Sequence, residues 1–244
     1  MAIKPTSLSL ACLLITAYAV PTFANNCHPL VDMHKPQLII GYGSLMQEAS
    51  KKRSDPDVSA NYPVLVRGFK RGWFLYACND RPGFSTTYLG VTPNPDAHIN
   101  AVVYKLNGAK TIQAYDAREK GYCRVRVKPS DIKFLALLPK NMQNGQIWIY
   151  NSQQGLIKTP TKNCPIVQSY VDIFLSGCLE LQKKYTLPGF AKQCITTTSD
   201  WSSHWVNDRL YPRRPFIYQP EAGKIDTLIH DNLPVQFKHI KIAR

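Results

Sequence analysis

The sequence predicts an α+β domain with a C-terminal elaboration, and three observations carry that expectation. Short apolar runs rich in Val, Ile, Tyr, Phe and Trp, bounded by Gly, Pro or Asn, crowd the stretch from 37 to 150. Between 165 and 182 a helical spacing of apolar residues takes over. No internal repeat, low-complexity tract or Gly/Ser linker divides the 244 residues, and a 44% hydrophobic chain of that length can bury one substantial core.

The first residues read as an address. Lys4 precedes an apolar run at 8–20 (LSLACLLITAYAV), Pro21 closes it, and 22–24 (TFA) offers a small residue at a cut. The run falls short of the roughly 20 residues a bilayer-spanning helix needs. A lipoprotein anchor on Cys27 fits poorly, because Ala24, Asn25 and Asn26 are not the small-residue stretch such processing uses. The expected organisation is a signal peptide at 1–24, a polar tether at 25–36, a core at 37–160, and a helical and irregular extension at 161–244 packed on the same domain. The expected location is exported, periplasmic or secreted.

Along the core, 37–42 (QLIIGY) reads as a buried strand ending in a glycine turn, and 48–61 as a charged loop. Residues 62–78 suggest two strands joined or bulged at Gly68 and Gly72. Strands are expected at 88–91 and 99–106, separated by a turn at Pro93, Asn94, Pro95 and Asp96. A helix follows at 109–120, with Ile112, Tyr115 and Ala117 on one face and Gly121 where it stops. Strands are expected at 122–127, 134–138 and 146–150. The extension begins with a helix at 165–182, Pro165 at its start and Val167, Tyr170, Val171, Phe174, Leu175 and Cys178 on its apolar face. A shorter helix at 187–195 and a final strand-like stretch at 235–242 complete it.

Seven cysteines are present, and removing Cys12 with the leader leaves Cys27, Cys78, Cys123, Cys164, Cys178 and Cys194. An even set in an oxidising compartment favours disulfides without fixing their connectivity, and Cys178 reads equally well as a free buried thiol. No Cys-x-x-Cys pair is present, which argues against a zinc ribbon or a thioredoxin-like motif. The formal charge of +14 is spread over scattered groups, including 51–53, Arg67/Lys70/Arg71, Arg124/Arg126/Lys128 and Arg213/Arg214. That scatter suggests a solvated basic face in loose contact with anionic envelope surfaces, with no nucleic-acid partner and no stable protein partner.

Two features can carry chemistry. A strand stopping at Gly41-Tyr42-Gly43-Ser44 leaves several main-chain N–H groups without ladder partners, a concavity suited to a carboxylate. Far along the chain, Glu119 stands at the expected helix end, where the negative end of the macrodipole disfavours a carboxylate charge and suits acid/base work. Alone, each has a plainer reading: many strands end in glycine, and a helix-end glutamate is commonly a solvated surface residue. Ser44 lacks the Gly-x-Ser-x-Gly elbow of a hydrolase, the six histidines show no metal spacing, and no local signature pairs a cysteine with a histidine. Trp201, Trp205, Tyr211 and Tyr218 amid Arg209, Arg213 and Arg214 read as a packed terminal segment with a basic rim.

In combination these residues resemble a known family. Residues 39–46 (IIGYGSLM), then Tyr62-Pro63 and Val66-Arg67-Gly68-Phe69, the strand 101–106, Arg118-Glu119-Lys120-Gly121-Tyr122 and 147–150 (IWIY) recur in the order of the γ-glutamylcyclotransferase superfamily. The resemblance covers about residues 37 to 152 and is closest to the ChaC-type glutathione-specific branch, although the glycine which usually separates that branch's glutamate motif from its tyrosine is missing. It implies a small mixed barrel-like sheet flanked by helices. It also implies conversion of a γ-glutamyl substrate (glutathione, a γ-glutamyl amino acid or a peptide) to 5-oxoproline, without cofactor or metal. Glu119 matches the family's catalytic glutamate. Tyr42, Gly43, Ser44 and Leu45 match its carboxylate-binding loop, Tyr150 matches a tyrosine lining the site, and Tyr122 is a further substrate-binding candidate. The alternative is a catalytically silent relative that binds an anionic metabolite or an envelope partner in the same pocket.

Overall fold

The computed structural model describes residues 27–53, 55–78, 85–108, 111–119, 121–214 and 221–243. The expected signal peptide lies outside them. In chain order the main elements are β1 (Gln37–Gly41), α1 (Glu48–Lys52), β2 (Tyr62–Ala77), β3 (Thr86–Lys105), α2 (Thr111–Arg118), β4 (Tyr122–Arg126), β5 (Ile132–Phe134), β6 (Gln146–Ser152), β7 (Ile166–Val167) and α3 (Gln168–Lys184). There follow α4 (Phe190–Thr196), β8 (Thr198–Ser199), β9 (Trp205–Asn207), α5 (Ala222–Asn232), α6 (Pro234–Phe237) and β10 (Lys241–Ile242).

The expected α+β architecture is what the chain adopts. A seven-stranded mixed sheet runs in the order β4-β6-β1-β3-β2-β5, with β8 beside β2, and a small sheet orders β10-β9-β7. The large sheet is open at β4 and β5 and does not close into a barrel, which corrects the barrel-like shape implied by the resemblance. β1 sits in the middle, antiparallel to β3 and parallel to β6. Both its faces are therefore covered: Ile39 packs with Val102, Trp148 and the helices, while Leu38 and Ile40 pack with Val103, Ile147 and Ile149 on the other side. This two-sided burial explains why its sequence reads as a continuous apolar run rather than an alternation.

Several expectations change. Residues 62–77 form one strand, not two; Gly68, at φ +84°, absorbs the irregularity as a bulge. Likewise 86–105 is one long strand, and Pro93 to Asp96 is not a hairpin turn. Register jumps there from Phe69↔Pro93 to Arg67↔His98, so the residues between Pro93 and His98 bulge out while the strand keeps its direction. Proline cannot donate to a ladder, and Asp96 N–H instead bonds the Asn94 side chain at 3.0 Å. Part of the charged loop forms α1, held because Lys51 is buried and its Nζ donates to Ser59 O at 2.6 Å and to Asn61 Oδ1 at 2.7 Å.

In the extension, the long helix starts at Gln168 because Ile166 and Val167 pair with β9 first. The strand expected at 134–138 lies instead at Ile132–Phe134, sharing only Phe134 with the expectation. The expected terminal strand is α6 as far as Phe237 and a turn beyond it, with only Lys241–Ile242 extended, and α5 carries no signal that the sequence reading used. Residues 168–178 of α3 are buried on every face, since the sheet, α4, α5 and β9 surround them. The six described cysteines pair as Cys27–Cys123, Cys78–Cys164 and Cys178–Cys194, so Cys178 is not a free thiol. Among the described residues no helix is long and apolar enough to cross a membrane.

Candidate active site

Immediately beyond β1 the chain turns through one 3-10 turn, Ser44–Met46, closed by Met46 N–H to Gly43 O at 3.0 Å and Gln47 N–H to Ser44 O at 3.3 Å. Among the described residues, the N–H groups of Gly43 and Leu45 bond no main-chain carbonyl. Gly43 is required by crowding: a Cβ there would stand 2.7 Å from Tyr170 Oη. Behind the turn, the fully buried guanidinium of Arg71 donates to Tyr42 O at 3.1 Å and to Asn100 O at 2.8 Å. Its remaining donors reach Asn100 Oδ1, Cys194 O, Thr197 Oγ1 and Thr198 Oγ1, all neutral.

Glu119 follows directly on α2. Its N–H makes the closing helical bond of α2 to Tyr115 O at 2.9 Å, and Gly121, at φ +91°, redirects the chain into β4. The half-buried Glu119 and the glycine turn both line a cavity of about 490 Å³. Every site residue singled out from the sequence lines that cavity: Tyr42, Gly43, Ser44, Leu45, Glu119, Tyr122 and Tyr150.

The tyrosines are tightly held. Tyr42 hydroxyl donates to Tyr150 O at 2.6 Å, Tyr122 hydroxyl to Leu89 O at 3.1 Å, and Tyr150 hydroxyl to Asp116 Oδ1 at 2.7 Å. Asp116 is paired in turn with Arg124 Nε at 2.9 Å and His28 Nδ1 at 3.3 Å. Burial, and then the Glu119 carboxylate, pushes the Tyr42 phenol well up. Burial also raises Tyr122, reinforced by the neighbouring phenols and Glu119, and it raises Tyr150, reinforced by Asp116. These phenols are neutral at physiological pH and present fixed dipoles to the cavity.

Among the further wall residues that sequence reasoning missed are Tyr88, Tyr170 and Arg214. Tyr170 lies on what reads as a core face of α3, and Arg214 within what reads as a solvated basic rim. No local pattern distinguishes either. Arg71 was visible only as one member of a scattered basic group.

A larger groove of about 900 Å³ lies between α1 and α3 and meets the cavity at Ser50 and Arg53. It lacks the turn and Glu119, and the smaller cavity is the one in which chemistry-bearing groups converge. Among the described residues, no cluster of three or more His, Cys, Asp or Glu could hold a metal ion.

The chain is similar to γ-glutamyl cyclotransferases of known structure. One neighbour, a γ-glutamyl cyclotransferase, shares 16% identity at a TM-score of 0.49, over 66% of this chain and 87% of its own. YkqA from Bacillus subtilis shares 14% at 0.47, over 66% of this chain and 53% of its own. A γ-glutamyl cyclotransferase specific to glutathione from yeast shares 13% at 0.40, over 67% and 95%. The chain matches no protein-family profile and no curated protein sequence. What the site can do chemically rests on its own residues.

Proposed function

We propose that this protein is an exported γ-glutamyl cyclotransferase-type enzyme that releases 5-oxoproline from a γ-glutamyl amino acid or peptide. The single observation that carries this reading is the meeting, in one cavity, of the Gly43 and Leu45 N–H groups, which among the described residues bond no main-chain carbonyl, with the Glu119 carboxylate. A volume of about 490 Å³ lies within the range of small-molecule sites.

In this reading the substrate's α-carboxylate sits on the glycine turn, with the buried Arg71 cation behind it adding favourable potential. Glu119 takes a proton from the α-ammonium. The freed amine attacks the substrate's own γ-carbonyl carbon, forming the ring C–N bond, and the developing oxyanion is met by main-chain N–H donors of the same turn. Collapse breaks the amide C–N bond as Glu119 returns its proton to the departing nitrogen, and the ring nitrogen releases its second proton to the freed Glu119 carboxylate, leaving a neutral lactam. Because attack is intramolecular, folding the substrate and moving these protons are the enzyme's main tasks. Three disulfides are bonds that persist in an oxidising compartment, which supports export.

The test is 5-oxoproline release by the purified protein from glutathione and γ-glutamyl dipeptides. Glu119→Gln is expected to lower turnover by about 10²-fold or more with an unchanged circular dichroism spectrum. Full activity in that variant removes Glu119 from the mechanism. Binding of the same compounds without turnover by the unaltered protein marks a silent binder instead.

A further inference from the structure

Arg214 is an unabsorbed charge in the wall of the cavity. It comes from the extension, outside the stretch that carries the sequence resemblance, yet its main chain is fixed. Arg214 N–H donates to Ser169 Oγ at 3.0 Å, and Ser169 is held by the buried Asp208, which accepts from Ser169 N–H and from its hydroxyl, both at 2.7 Å. Asp208 also accepts from Arg213 N–H at 2.8 Å. One carboxylate thus staples the chain at 213–214 to the first turn of α3.

The side chain then lies over two tyrosine rings, 5.3 Å from Tyr88 and 5.9 Å from Tyr170. Stacking on rings restrains a guanidinium without consuming its in-plane donors. Its Nε is buried without a hydrogen-bond partner, and among the described residues no carboxylate pairs with it. A buried guanidinium N–H without an acceptor is costly unless a ligand supplies one. Of the charged side chains on this wall, Glu119 is the acid and Arg214 and Arg53 are the bases, with Arg53 exposed at the rim.

We infer that Arg214 is a specificity residue that reads a carboxylate on the leaving amine, selecting γ-glutamyl amino acids and peptides over γ-glutamyl amides and amines. This rests on the proposed cyclotransferase reading. Each charged group of the substrate then has a complement: the α-ammonium has Glu119, the α-carboxylate has the Gly43 and Leu45 N–H dipoles, and the second carboxylate has Arg214.

The experiment compares γ-glutamylglycine with γ-glutamylglycinamide, which differ in that carboxylate alone. For the unaltered protein kcat/KM is expected to favour the acid by about 10- to 100-fold, the range of a charge-assisted hydrogen bond. In Arg214→Gln the ratio falls close to one, through KM with kcat held, and Arg214→Lys restores part of it. A preserved ratio in Arg214→Gln, or no preference in the unaltered protein, overturns the inference while leaving the cyclotransferase reading intact. The same pair is titrated calorimetrically against Glu119→Gln and Glu119→Gln/Arg214→Gln. Acid preference in the first and its loss in the second, without 5-oxoproline from the unaltered protein, sustains the Arg214 role and defeats the cyclotransferase reading. Failure of both compounds to bind, together with no 5-oxoproline from the unaltered protein, defeats both.

Discussion

Arg71 donates from its buried guanidinium to the main-chain carbonyl of Tyr42 at 3.1 Å, so a cation stands directly behind the glycine turn. Among the described residues no carboxylate pairs with it; six oxygen acceptors from Tyr42, Asn100, Cys194, Thr197 and Thr198 surround it. Burial pushes this guanidinium down to about 9, against the phenols of Tyr170 and Tyr42, and it remains charged at neutral pH.

Replacing Arg71 therefore unsettles both the fold and the turn. Lysine has three donors and no planar fork, so Arg71→Lys strands several buried acceptors. A loss of about 3 kcal/mol is expected by denaturant unfolding, since each orphaned buried group costs about 1–3 kcal/mol. A change below about 0.5 kcal/mol, the size of an ordinary surface substitution, contradicts the hub role.

Gly43 and Tyr170 form the second coupled pair. Gly43→Ala places a methyl 2.7 Å from Tyr170 Oη, and Tyr170 is buried and cannot simply swing away. The turn moves instead, and KM for the γ-glutamyl substrate is expected to rise about 10-fold, in line with small geometric errors at a preorganised site. Because the clash is with the hydroxyl, Gly43→Ala/Tyr170→Phe should recover much of that loss. Equal KM values in the single and double variants separate the two residues.

Alkaline pH tests the packing of the tyrosines. Burial pushes Tyr170 up to about 12, against Arg214 and Ser44, and burial with help from Tyr62 and Glu48 pushes Tyr185 up to about 12. The unfolded chain releases these protons near pH 10 and the folded chain does not. Folded protein then binds more protons, so this contribution is complete below about pH 10 and is lost as pH climbs through 12. Lys51 has the opposite sign: burial, opposed by Glu48, lowers it to about 8. Its contribution grows with pH between 8 and its unfolded value of about 10.4. Denaturant unfolding from pH 8 to 11 should show a fall above pH 10 that Tyr170→Phe makes shallower; an identical slope in that variant removes Tyr170 from the account.

What the sequence by itself determined is local. The apolar run of 37–41, its arrest at Gly41-Tyr42-Gly43 and the helix stop at Gly121 each follow from side-chain burial or glycine conformation within a few residues, and the elements appear close to where those signals place them. Residues 93–96 mislead for the same reason: two prolines, Asn94 and Asp96 encode a local turn, but continued pairing on both sides keeps one strand.

Only the tertiary structure decided who meets whom. Tyr170 sits on an apolar helix face and Arg214 in a basic terminal stretch, so neither carries a local mark of the cavity they line. Asp208, pinning Ser169 and the chain at 213–214, brings them beside the turn that follows β1. Secondary structure is set by contacts a few residues apart, whereas a site closed by β1, α2, α3 and the extension depends on long-range packing that periodicity does not encode.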